Sequence, residues 1–579
     1  MKAPVHMPNS EIARILGEIA VYLDMQNEPF KPRAYEKASE AIANLPEEAA
    51  ELYRRGGIRA LEEIPSVGKA IAEKMAELIT TGRLVYFDKL KRALPIDITE
   101  LRTVEGLGPK SIAKLYRRLK VRTLADLERA ARKGKIAKLE GFGAKSEEKI
   151  LQSIGFAKGT GHRFLLHDVM PQVHRLEALL GARPEVDRLI VAGSVRRRKE
   201  TIGDVDILAV SKKPEAVMTA FTHLPGVVRV IAHGDTKSSV KLSSGLNVDL
   251  RVVPATSYGA ALNYFTGSKD HNVALRELAV RRGWKLNEYG LFKGARTIAG
   301  RTEEEIYKKL GLAYIEPEMR EATGELEAAR AGNLPKLIGY DDLQGDLQTQ
   351  SDWTDGRDTI EALARGAAAR GLRYIAITDH TRSVTIANGL DEKCLVKQLA
   401  EIDRVNKALK GKITVLKGTE CDIREDGTLD LSDKVLAQLD VVGVAIHYHT
   451  KLSRRDQTER IKRAFENQYV DIFFHPTGRI VNRRPSYDVD FAAVIAEAKH
   501  RGVVLEVNAS ERLDLRDEHV RAAVQASVKL AIDSDAHAVG HFDNLEFGIA
   551  QARRGWAEKK DVINAWPLEK MRKMLRRRQ

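Results

Sequence analysis

Apolar side chains recur at three- and four-residue intervals along roughly the first 160 residues. Ile12, Ile15, Leu16 and Ile19 form the first such stripe, and Gly or Pro residues separate it from those that follow. This spacing places the apolar residues on one face of a helix, whereas Gly and Pro favour turns. The pattern therefore predicts a set of short helices in this part of the chain.

The pattern changes to short runs rich in β-branched residues further along the chain. The runs are residues 187–192, 206–210, 227–231 and 248–253, with one helical stretch at about 213–223. Apolar runs of this length between turn residues predict strands. We therefore expect a small mixed sheet, followed by a helical and turn-rich stretch to about residue 320.

Strand-like and helix-like segments alternate in the C-terminal part of the chain. Residues 332–339 have the composition of a linker, and apolar runs follow at 374–378, 441–445, 471–474 and 503–507. This alternation predicts an α/β barrel-like domain whose strand ends carry the chemistry. Because 579 residues are too many for one hydrophobic core, we expect a multidomain protein of α+β and α/β class.

Positive charge suggests the kind of partner. The formal net charge is +14, and basic residues cluster at 196–199 and 576–578. The isoelectric point is about 9.4. Clustered basic residues suit a polyanionic partner, although many basic proteins never meet DNA.

The cysteine content and the hydropathy pattern bear on the compartment. Cys394 and Cys421 are too few for a disulfide framework or a cysteine-based zinc site, so any metal site must use His and carboxylates. The N-terminal residues lack the apolar core of a secretory signal, and no later run approaches a membrane span. We expect a cytoplasmic protein with no membrane partner.

A short glycine-containing turn recurs three times in the helical part. The repeats are residues 64–68 (Ile-Pro-Ser-Val-Gly), 104–108 (Val-Glu-Gly-Leu-Gly) and 139–143 (Leu-Glu-Gly-Phe-Gly). Each resembles a helix-hairpin-helix turn, which exposes backbone N–H groups to a phosphate at the next helix's N-terminus. Lys69, Lys110 and Lys145 lie close enough to add charge. A single copy could equally be an ordinary αα-hairpin, but three copies favour sequence-independent binding of the DNA backbone.

Three aspartates suggest a site for divalent metals. Asp204 and Asp206 are two residues apart, so on a strand they share a face, and a neighbouring strand can bring Asp249 beside them. Such a trio suits two-metal phosphoryl transfer with Mg²⁺ or Mn²⁺, whereas a lone Asp-x-Asp is usually a solvated strand start. Ser194, in the preceding turn, suits triphosphate oxygens, and Arg197 suits the leaving pyrophosphate.

The run at residues 193–208 resembles the palm of family X DNA polymerases, which are nucleotidyltransferases. Residues 264–272 and Arg276 are similar to that family's nucleotide-selecting, thumb-like subdomain. The resemblance implies that Asp204, Asp206 and Asp249 hold the metals and that Ser194 and Arg197 bind the triphosphate. It further implies that Tyr264, Phe265 and Gly267 border the sugar, while Asn272 and Arg276 face the base and template. Core packing remains an alternative for one of the two aromatic rings.

Residues 29–38 and 70–77 resemble the small lyase domain of the same family. On that resemblance Lys74 falls at the Schiff-base position, where partial burial would lower its pKa and free the amine for attack on an abasic sugar. Lys31, Tyr35 and Lys69 would hold the 5′-phosphate. A solvated or snorkelling lysine is the alternative. The family pattern has a lysine where this chain has Ala70.

Histidines and acidic residues recur at strand ends in the C-terminal part. They are Asp355, His380, Glu420, His447, His475, Asp535 and His537. Such a set suits a multinuclear hydrolase, although an isolated His is more often a core residue. The whole set resembles the polymerase and histidinol phosphatase (PHP) domain of bacterial family X polymerases. That resemblance implies 3′–5′ exonuclease or phosphoesterase activity with Mn²⁺ or Zn²⁺.

The chain departs from this family in the motif that opens the PHP domain. The family motif is Gly-Asp-Leu-His-x-His, but residues 345–350 read Gly-Asp-Leu-Gln-Thr-Gln. Gln348 and Gln350 therefore stand where two imidazoles would be. Because a neutral amide oxygen is a poorer ligand for Zn²⁺ and similar metals, at least one metal position is expected to be weakened.

The resemblance divides the chain into functional parts. They are a lyase-like helical domain (1–85), a helix-hairpin-helix subdomain (86–160), a nucleotidyltransferase palm (161–255), a thumb-like subdomain (256–325), a linker (326–340) and a PHP domain (341–579). The predicted function is gap-filling DNA synthesis in base excision repair or end joining, by a monomer acting on gapped or nicked DNA with deoxynucleoside triphosphates. Alternatives are a DNA-end binding scaffold with an inactive PHP domain and a nucleotidyltransferase acting on RNA or an antibiotic.

Overall fold

The fold is taken from a computed structural model. It describes residues 7, 9–26, 28–43, 45, 48–101, 104, 107–159 and 163–575. The chain forms two compact units. The first comprises residues 1–162 with 482–484, and the second comprises residues 163–481 and 485–579.

The first unit is helical in its described parts. The helices are α1 (Asn9–Met25), α2 (Lys31–Ala43), α3 (Ala49–Glu62), α4 (Lys69–Thr81), α5 (Val85–Ala93), α6 (Ile98–Leu101), α7 (Pro109–Leu119), α8 (Leu124–Arg132) and α9 (Ala144–Gly159). Their apolar stripes share one core, which includes Ile12, Leu16 and Ile19. The three- and four-residue spacing therefore predicted these helices correctly.

The second unit begins with a sheet flanked by helices. Its elements are β1 (Phe164–Leu165), α10 (Leu166–Gly181), β2 (Arg188–Val191), α11 (Gly193–Arg196), β3 (Thr201–Ile202), β4 (Asp204–Val210), α12 (Pro214–Thr222), β5 (Val227–His233), β6 (Lys237–Leu242) and β7 (Asn247–Val253). The order in the main sheet is β2-β4-β7-β6-β5. Only β4 and β7 run parallel, so the predicted mixed sheet is confirmed. The sequence pattern missed β6.

A smaller α+β layer follows the palm-like sheet. It contains α13 (Tyr258–Thr266), α14 (Lys269–Val280), β8 (Trp284–Asn287), β9 (Gly290–Lys293), β10 (Arg296–Ala299), α15 (Glu303–Lys309) and α16 (Glu325–Ala331). The short antiparallel strands β8 to β10 were not predicted, because each has only four residues. The segment predicted as a linker, residues 326–340, begins inside α16. Its Leu326 and Ala329 are buried in this layer's core, so it is packed there rather than extended.

The C-terminal part is a nearly closed barrel of parallel strands. The strands are β11 (Gly345–Thr349), β12 (Tyr374–Ile377), β13 (Thr414–Asp422), β14 (Val441–Ala445), β15 (Ile472–Phe473), β16 (Val504–Asn508) and β17 (Leu530–Asp533), paired in that order. The backbone N–H of Gln350 donates to the carbonyl of Ala536 at 2.7 Å, which brings the first strand beside the last. The predicted α/β barrel is therefore confirmed.

Helices alternate with the strands around the barrel. They are α17 (Ile360–Ala369), α18 (Glu392–Ala408), α19 (Asp433–Leu436), α20 (Arg454–Ala464), α21 (Phe491–Arg501), α22 (Asp517–Gln525), α23 (Leu545–Arg554) and α24 (Leu568–Leu575). Alternate residues of a strand belong to different cores. Val442 and Val444 pack in the cluster shared with the helices, whereas Val441 and Ala445 pack with Trp566 of the C-terminal segment. Both faces of the sheet are therefore buried, as parallel strands require.

None of the helices in the described part of the chain is both long enough and apolar enough to cross a membrane.

The tight packing of the barrel leads to a stability prediction. An added Cβ at Gly443, in β14, would overlap the ring of buried Phe474. Gly443→Ala should therefore lower the free energy of unfolding by about 1–3 kcal/mol, measured by urea denaturation of the whole chain. Gly181→Ala, at the end of α10, is the control, because nothing lies within 4 Å of its added Cβ. Equal midpoints for both variants would contradict the packing argument.

Candidate functional site

The three aspartates predicted to bind metal lie on two adjacent strands of the palm-like sheet. In the parallel register of β4 and β7, Asp206 lies directly opposite Asp249, and Asp204 lies two residues before Asp206 on the same face. Asp204 is exposed, whereas Asp206 and Asp249 are half-buried. Burial, together with the charges of Asp204 and Asp249, raises the pKa of Asp206 to about 6. The face therefore carries unfavourable negative charge, which divalent cations would offset.

A lysine that the sequence pattern missed partly balances this charge. Lys237, the first residue of β6, places its Nζ 2.7 Å from Asp249 Oδ2. Among the described residues, two groups have potential metal-ligating atoms that all lie within 4.8 Å of one another, and both groups are in the barrel. The carboxylates of the aspartate trio are therefore more widely spaced than the ligands of either group. Its oxygen-only ligands suit Mg²⁺ or Mn²⁺.

The turn at Gly193 lies against these carboxylates. Gly193 has a φ of +62°, and a Cβ at this position would collide with the side chain of Asp206. The backbone N–H of Ala192 donates to the carbonyl of Asp206 at 2.7 Å, which holds the turn on β4. Glycine is therefore required for both backbone conformation and space. Ser194, the next residue, is half-buried.

Two arginines anchor this turn to the following layer. Arg196 donates to both oxygens of Glu303, at 2.9 and 2.7 Å, and to Thr266 Oγ1 at 2.8 Å. The fully buried Arg320 also pairs with Glu303. Burial of Glu303 opposes its ionisation, but Arg320 and Arg196 outweigh it and lower the pKa of Glu303 to about 2.

Arg197, predicted to bind the triphosphate, is already hydrogen-bonded within the protein. Its Nε donates to Glu321 Oε1 at 2.9 Å, and its Nη1 donates to the carbonyl of Thr266 at 2.7 Å. The side chain is 13% exposed. The sequence pattern could not reveal these partners, because Glu321 lies 124 residues from Arg197 along the chain.

The predicted sugar-bordering residues lie at the end of α13. The half-buried rings of Tyr264 and Phe265 meet edge to face, with centroids 5.1 Å apart. Asn272 Nδ2 donates to the carbonyls of Tyr264 at 2.7 Å and Gly267 at 3.1 Å. A Cβ at Gly267 would lie only 2.6 Å from Asn272 Oδ1. Asn272 therefore holds the turn together.

The remaining predicted contacts are spread along α14 and β7. Arg276 is exposed, and its Nε donates to the carbonyl of Asn272 at 3.2 Å. The guanidinium of Arg251, which the sequence pattern did not single out, lies 4.4 Å from the centroid of the Phe265 ring. Phe265 therefore packs against a cation on its sheet side, while Arg276 remains open to solvent.

The glycine turns of the helical unit end in helix N-termini, as predicted. Gly68 precedes α4 and Gly108 precedes α7, and neither helix has a side-chain N-cap hydrogen bond. Lys69 and Lys110 are exposed beside these ends. The side chain of Lys145 and parts of residues 104–108 lie outside the described residues.

The predicted lyase residues have mixed environments. Lys74 is half-buried on α4, its Nζ donates to the carbonyl of Ala70 at 2.9 Å, and it lies 5.0 Å from the Tyr86 ring centroid. Lys31 pairs with Glu28 at 2.8 Å. Tyr35 is buried in the helical core, and its expected contact with the 5′-phosphate stays a prediction.

The centre of the barrel site is the carboxylate of Glu420 in β13. It is buried, and its Oε1 lies 2.7 Å from His475 Nε2 and 3.2 Å from His447 Nε2. His380 Nδ1 lies 3.6 Å from its Oε2. Burial opposes ionisation, but the imidazoles, led by His380, hold the pKa of Glu420 well below its usual range.

A second cluster adjoins the first through His380. The Nε2 atoms of His380 and His537 lie 3.7 and 3.5 Å from the carboxylate of Asp355. Asp355, His380 and His537 form one group able to hold a metal, and His380, Glu420 and His447 form the other. Each of these residues belongs to the C-terminal half of a strand or to the loop that follows it, where α/β barrels carry their active sites.

The unsatisfied atoms of the barrel site fit a metal centre. Within the described part of the chain, the buried Nδ1 of His380 and Oε1 of Gln350 have no hydrogen-bond partner. Nitrogen ligands mixed with carboxylates suit Mn²⁺ or Zn²⁺. A cation near Glu420 would give these lone pairs a partner.

Gln348 and Gln350 both act as donors in this structure. Their Nε2 atoms donate to the same oxygen, Glu420 Oε2, at 3.0 and 2.7 Å. Asn508 Nδ2 donates to Gln348 Oε1 at 3.1 Å and lies 3.3 Å from Asp535 Oδ2. The two amide nitrogens, which cannot ligate a cation, therefore stabilise the negative charge of Glu420 by hydrogen bonding, and the Oε1 of Gln350 is left without a hydrogen-bond partner among the described residues.

The sequence pattern missed several residues that support the ligands. Asp422 Oδ1 lies 3.0 Å from His447 Nδ1, and its hydrogen bond, with that to Glu420, outweighs burial and raises the pKa of His447 to about 9. Asn508 ends β16, and buried Glu506 precedes it by two residues. Glu506 lies near the end of the run predicted as a strand at 503–507 and Asn508 follows it, which was the available signal, whereas no strand was predicted around Asp422.

Four family models match parts of the chain. The helix-hairpin-helix domain matches residues 7–84, and the SAM-like helix-hairpin-helix tandem matches 58–120 and 98–155. The DNA polymerase beta thumb matches residues 261–321, and the PHP domain matches 346–566. The matches follow the order of the layers described above.

Characterised proteins resemble the chain over different lengths. The DNA polymerase/3′-5′ exonuclease PolX of Bacillus subtilis (strain 168) is 36% identical over 577 residues, covering 99% of this chain and 100% of that protein. DNA polymerase lambda of Rattus norvegicus is 24% identical over 54% of this chain and 56% of its own length. A probable phosphatase of Thermoanaerobacter sp. (strain X514) is 33% identical over 32% of this chain and 76% of its own length.

The buried pair formed by Arg196 and Glu303 leads to a pH-dependent stability prediction. Glu303→Gln should cost about 3 kcal/mol at neutral pH, because it leaves two arginines without their counter-ion. The pKa of Glu303 is lowered from its usual 4.5 to about 2, so its stabilisation is complete above pH 4.5 and lost as the pH falls towards 2. Urea midpoints of both proteins should therefore converge below pH 4.5. A difference that stays constant down to pH 3 would contradict the pairing.

Proposed function

The chain belongs to the family X DNA polymerases that carry a C-terminal PHP domain, and on that premise we propose that it fills short gaps during DNA repair and trims 3′ ends. The observation that carries the synthetic function is the register of β4 and β7. It places Asp206 opposite Asp249, with Asp204 on the same face and the Gly193 turn beside them. Nucleotidyl transfer requires carboxylates in such an arrangement.

The polymerase site acts by holding charge in place. Asp204, Asp206 and Asp249 would hold two divalent ions, which would favour deprotonation of the primer hydroxyl and stabilise the negative charge of the leaving pyrophosphate. We assign Mg²⁺ or Mn²⁺ to this site. Ser194 and the backbone of the turn hold the triphosphate, and Arg197 adds positive charge from the side of Glu321.

The layer after the palm selects the nucleotide. Tyr264, Phe265 and Gly267 border the deoxyribose, and the bonds from Asn272 to this turn keep the two rings in place. Exposed Arg276 faces the template. A residue with a side chain at Gly267 would displace Asn272 and so alter this surface.

The helical unit binds the DNA backbone. The helix N-termini after Gly68 and Gly108, with exposed Lys69 and Lys110, offer N–H groups and positive charge to phosphates. Such contacts position a protein on DNA without reading its sequence. Gapped or nicked DNA is accordingly the substrate we assign. The lyase role of Lys74 stays a prediction.

The barrel supplies the trimming activity. Asp355, His380 and His537 would hold one ion, and Glu420 with His447 and His475 would hold a second, for which we assign Mn²⁺ or Zn²⁺. Asp535 supports His537, whose Nδ1 lies 2.8 Å from the carbonyl of Asp535. Metals of this kind activate water near neutral pH for attack on phosphate.

The setting we propose is a monomer in the cytoplasm. Cys394 and Cys421 are both free thiols, which fits a reducing compartment. Each candidate site is built from residues of one chain, so neither requires a second copy.

Gap filling should depend on the aspartate trio. Asp204→Ala and Asp249→Ala should each lower the rate of single-nucleotide gap filling by at least about 100-fold, because charge stabilisation in the transition state is lost. DNA affinity should change little, since the helical unit supplies it. Asp187→Asn is the matched control, because this exposed aspartate lies at the other end of β4. Normal synthesis by either alanine variant would refute the assigned site.

Trimming should respond to the two glutamines of the barrel. Replacing Gln348→His and Gln350→His together removes two donors to Glu420 and adds two metal ligands, so the variant should bind more metal and trim faster with Mn²⁺. Elemental analysis and 3′-end trimming of single-stranded DNA measure the two effects. Gln344→His is the control, because Gln344 contributes only backbone bonds next to β11. If the unaltered protein already binds and trims as well as the variant, the glutamines are adequate ligands.

A further inference from the structure

Arg554 of the PHP barrel reaches into the nucleotide-binding turn of the polymerase. It is the last residue of α23, and its side chain is only 3% exposed. Its Nη1 donates to the backbone carbonyl of Arg197 at 3.1 Å and to Glu321 Oε1 at 3.2 Å. Its Nη2 pairs with Asp517, the first residue of α22. One guanidinium therefore joins the two catalytic parts of the chain.

Glu321 is shared between the two arginines. The same oxygen that accepts from Arg554 accepts from Arg197 Nε at 2.9 Å, and Lys199 Nζ lies 3.7 Å away. Burial of Glu321 opposes ionisation, but the positive charges of Arg197, Arg554 and Lys199 lower its pKa. With Arg554 present, a single carboxylate balances part of the charge of two guanidinium groups. The surroundings of Arg197 therefore keep a net positive charge.

The backbone at this point is also strained. Arg198 has a φ of +53°, which is uncommon for a residue with a side chain. Such a conformation persists only when surrounding contacts hold it. The bond from Arg554 to the carbonyl of Arg197 is one of these contacts. The ion pair of Arg198 with Glu546, at 3.6 Å, is another that comes from the barrel.

The helix that carries Arg554 is itself fixed against the palm. Phe547, on α23, is buried in the core of the palm-like sheet, and its ring centroid lies 3.9 Å from that of His167. A further ion pair joins Arg479 to Glu200 at 2.7 Å. Arg554 therefore acts from a rigid support rather than from a loose surface.

We propose that Arg554 is a positioning residue for DNA synthesis, which holds Arg197 and Glu321 in the geometry that receives the triphosphate. The proposal rests on the polymerase function above. Without Arg554, Glu321 keeps only Arg197 and the more distant Lys199 as ionic partners, and the carbonyl of Arg197 loses the hydrogen bond from Arg554. Both changes should weaken binding of the incoming nucleotide. Their effect on the aspartates that would hold the metals should be smaller.

The test compares Arg554→Ala with Arg553→Ala in the full-length protein. Both arginines are largely buried at the end of α23, but Arg553 pairs with Glu318 and donates to the carbonyl of Ile338 instead. On one-nucleotide-gapped DNA, Arg554→Ala should raise the KM for the deoxynucleotide by about tenfold with a smaller change in kcat. Arg553→Ala should leave this KM within about twofold of the unaltered protein. Similar KM increases in both variants would overturn the proposal, because they would indicate general loosening.

A double-mutant cycle tests whether Arg554 acts through Arg197. If it does, adding Arg554→Ala to Arg197→Ala should raise the KM no further. Fully additive effects would overturn the proposal. Should Arg554→Ala fail to fold, Asp517→Asn removes one of the two carboxylates that pair with Arg554 and should raise the KM in the same direction. An unchanged KM in a folded Asp517→Asn protein would then contradict the positioning role of Arg554.

Failure of this proposal can be distinguished from failure of the polymerase function. Absence of gap filling by the unaltered protein, or normal synthesis by Asp204→Ala, would refute the polymerase assignment. If synthesis depends on Asp204 but a folded Arg554→Ala protein keeps its KM, only the positioning role is wrong. Trimming by the barrel should be equal in Arg554→Ala and Arg553→Ala, since neither residue contacts Glu420.

Discussion

Buried carboxylates need compensating cations or hydrogen-bond donors, and each functional part of this chain is arranged around one of them. In the palm, Asp206 lies opposite another aspartate, and their charges favour divalent cations. In the next layer, Glu303 is held by two arginines, which anchors the turn at Gly193. Where the barrel meets the palm, Glu321 is likewise paired with two arginines, Arg197 and Arg554. In the barrel, Glu420 is surrounded by imidazoles and amides. The chemistry of each site depends on how completely its charge is balanced.

Much of the architecture follows from the sequence pattern alone. The helical stripes, the mixed sheet and the alternating barrel segments were predicted because each is set by local hydrophobic spacing. The pairing of Asp206 with Asp249 was also foreseen, since two-residue spacing and strand adjacency suffice to predict it. The short strands β8 to β10 and β6 were missed, because brief or polar strands give little periodic signal. The residues with linker-like composition, 332–339, follow directly after α16.

What the sequence could not reveal are the long-range partners of its charged residues. Nothing near Arg197 indicates that its carbonyl meets Arg554, which lies 357 residues further along the chain. The departure from the family motif at Gln348 and Gln350 was evident, but their common role as donors to Glu420 depends on β11 and β13 lying close together in the barrel. Such contacts arise from tertiary packing, so residue type alone cannot specify them.

The attachment of α23 to the palm also bears on how the chain can evolve. A barrel with weakened metal ligands would ordinarily be free to decay or to be deleted. Here, however, α23 contributes Phe547 to the palm core and a hydrogen bond from Arg554 to the carbonyl of Arg197. Selection for DNA synthesis alone would then preserve the barrel as a scaffold. The candidate metal ligands at the carboxyl ends of the barrel strands could then be substituted without loss of the domain. Nuclease activity could therefore be lost while the barrel is retained.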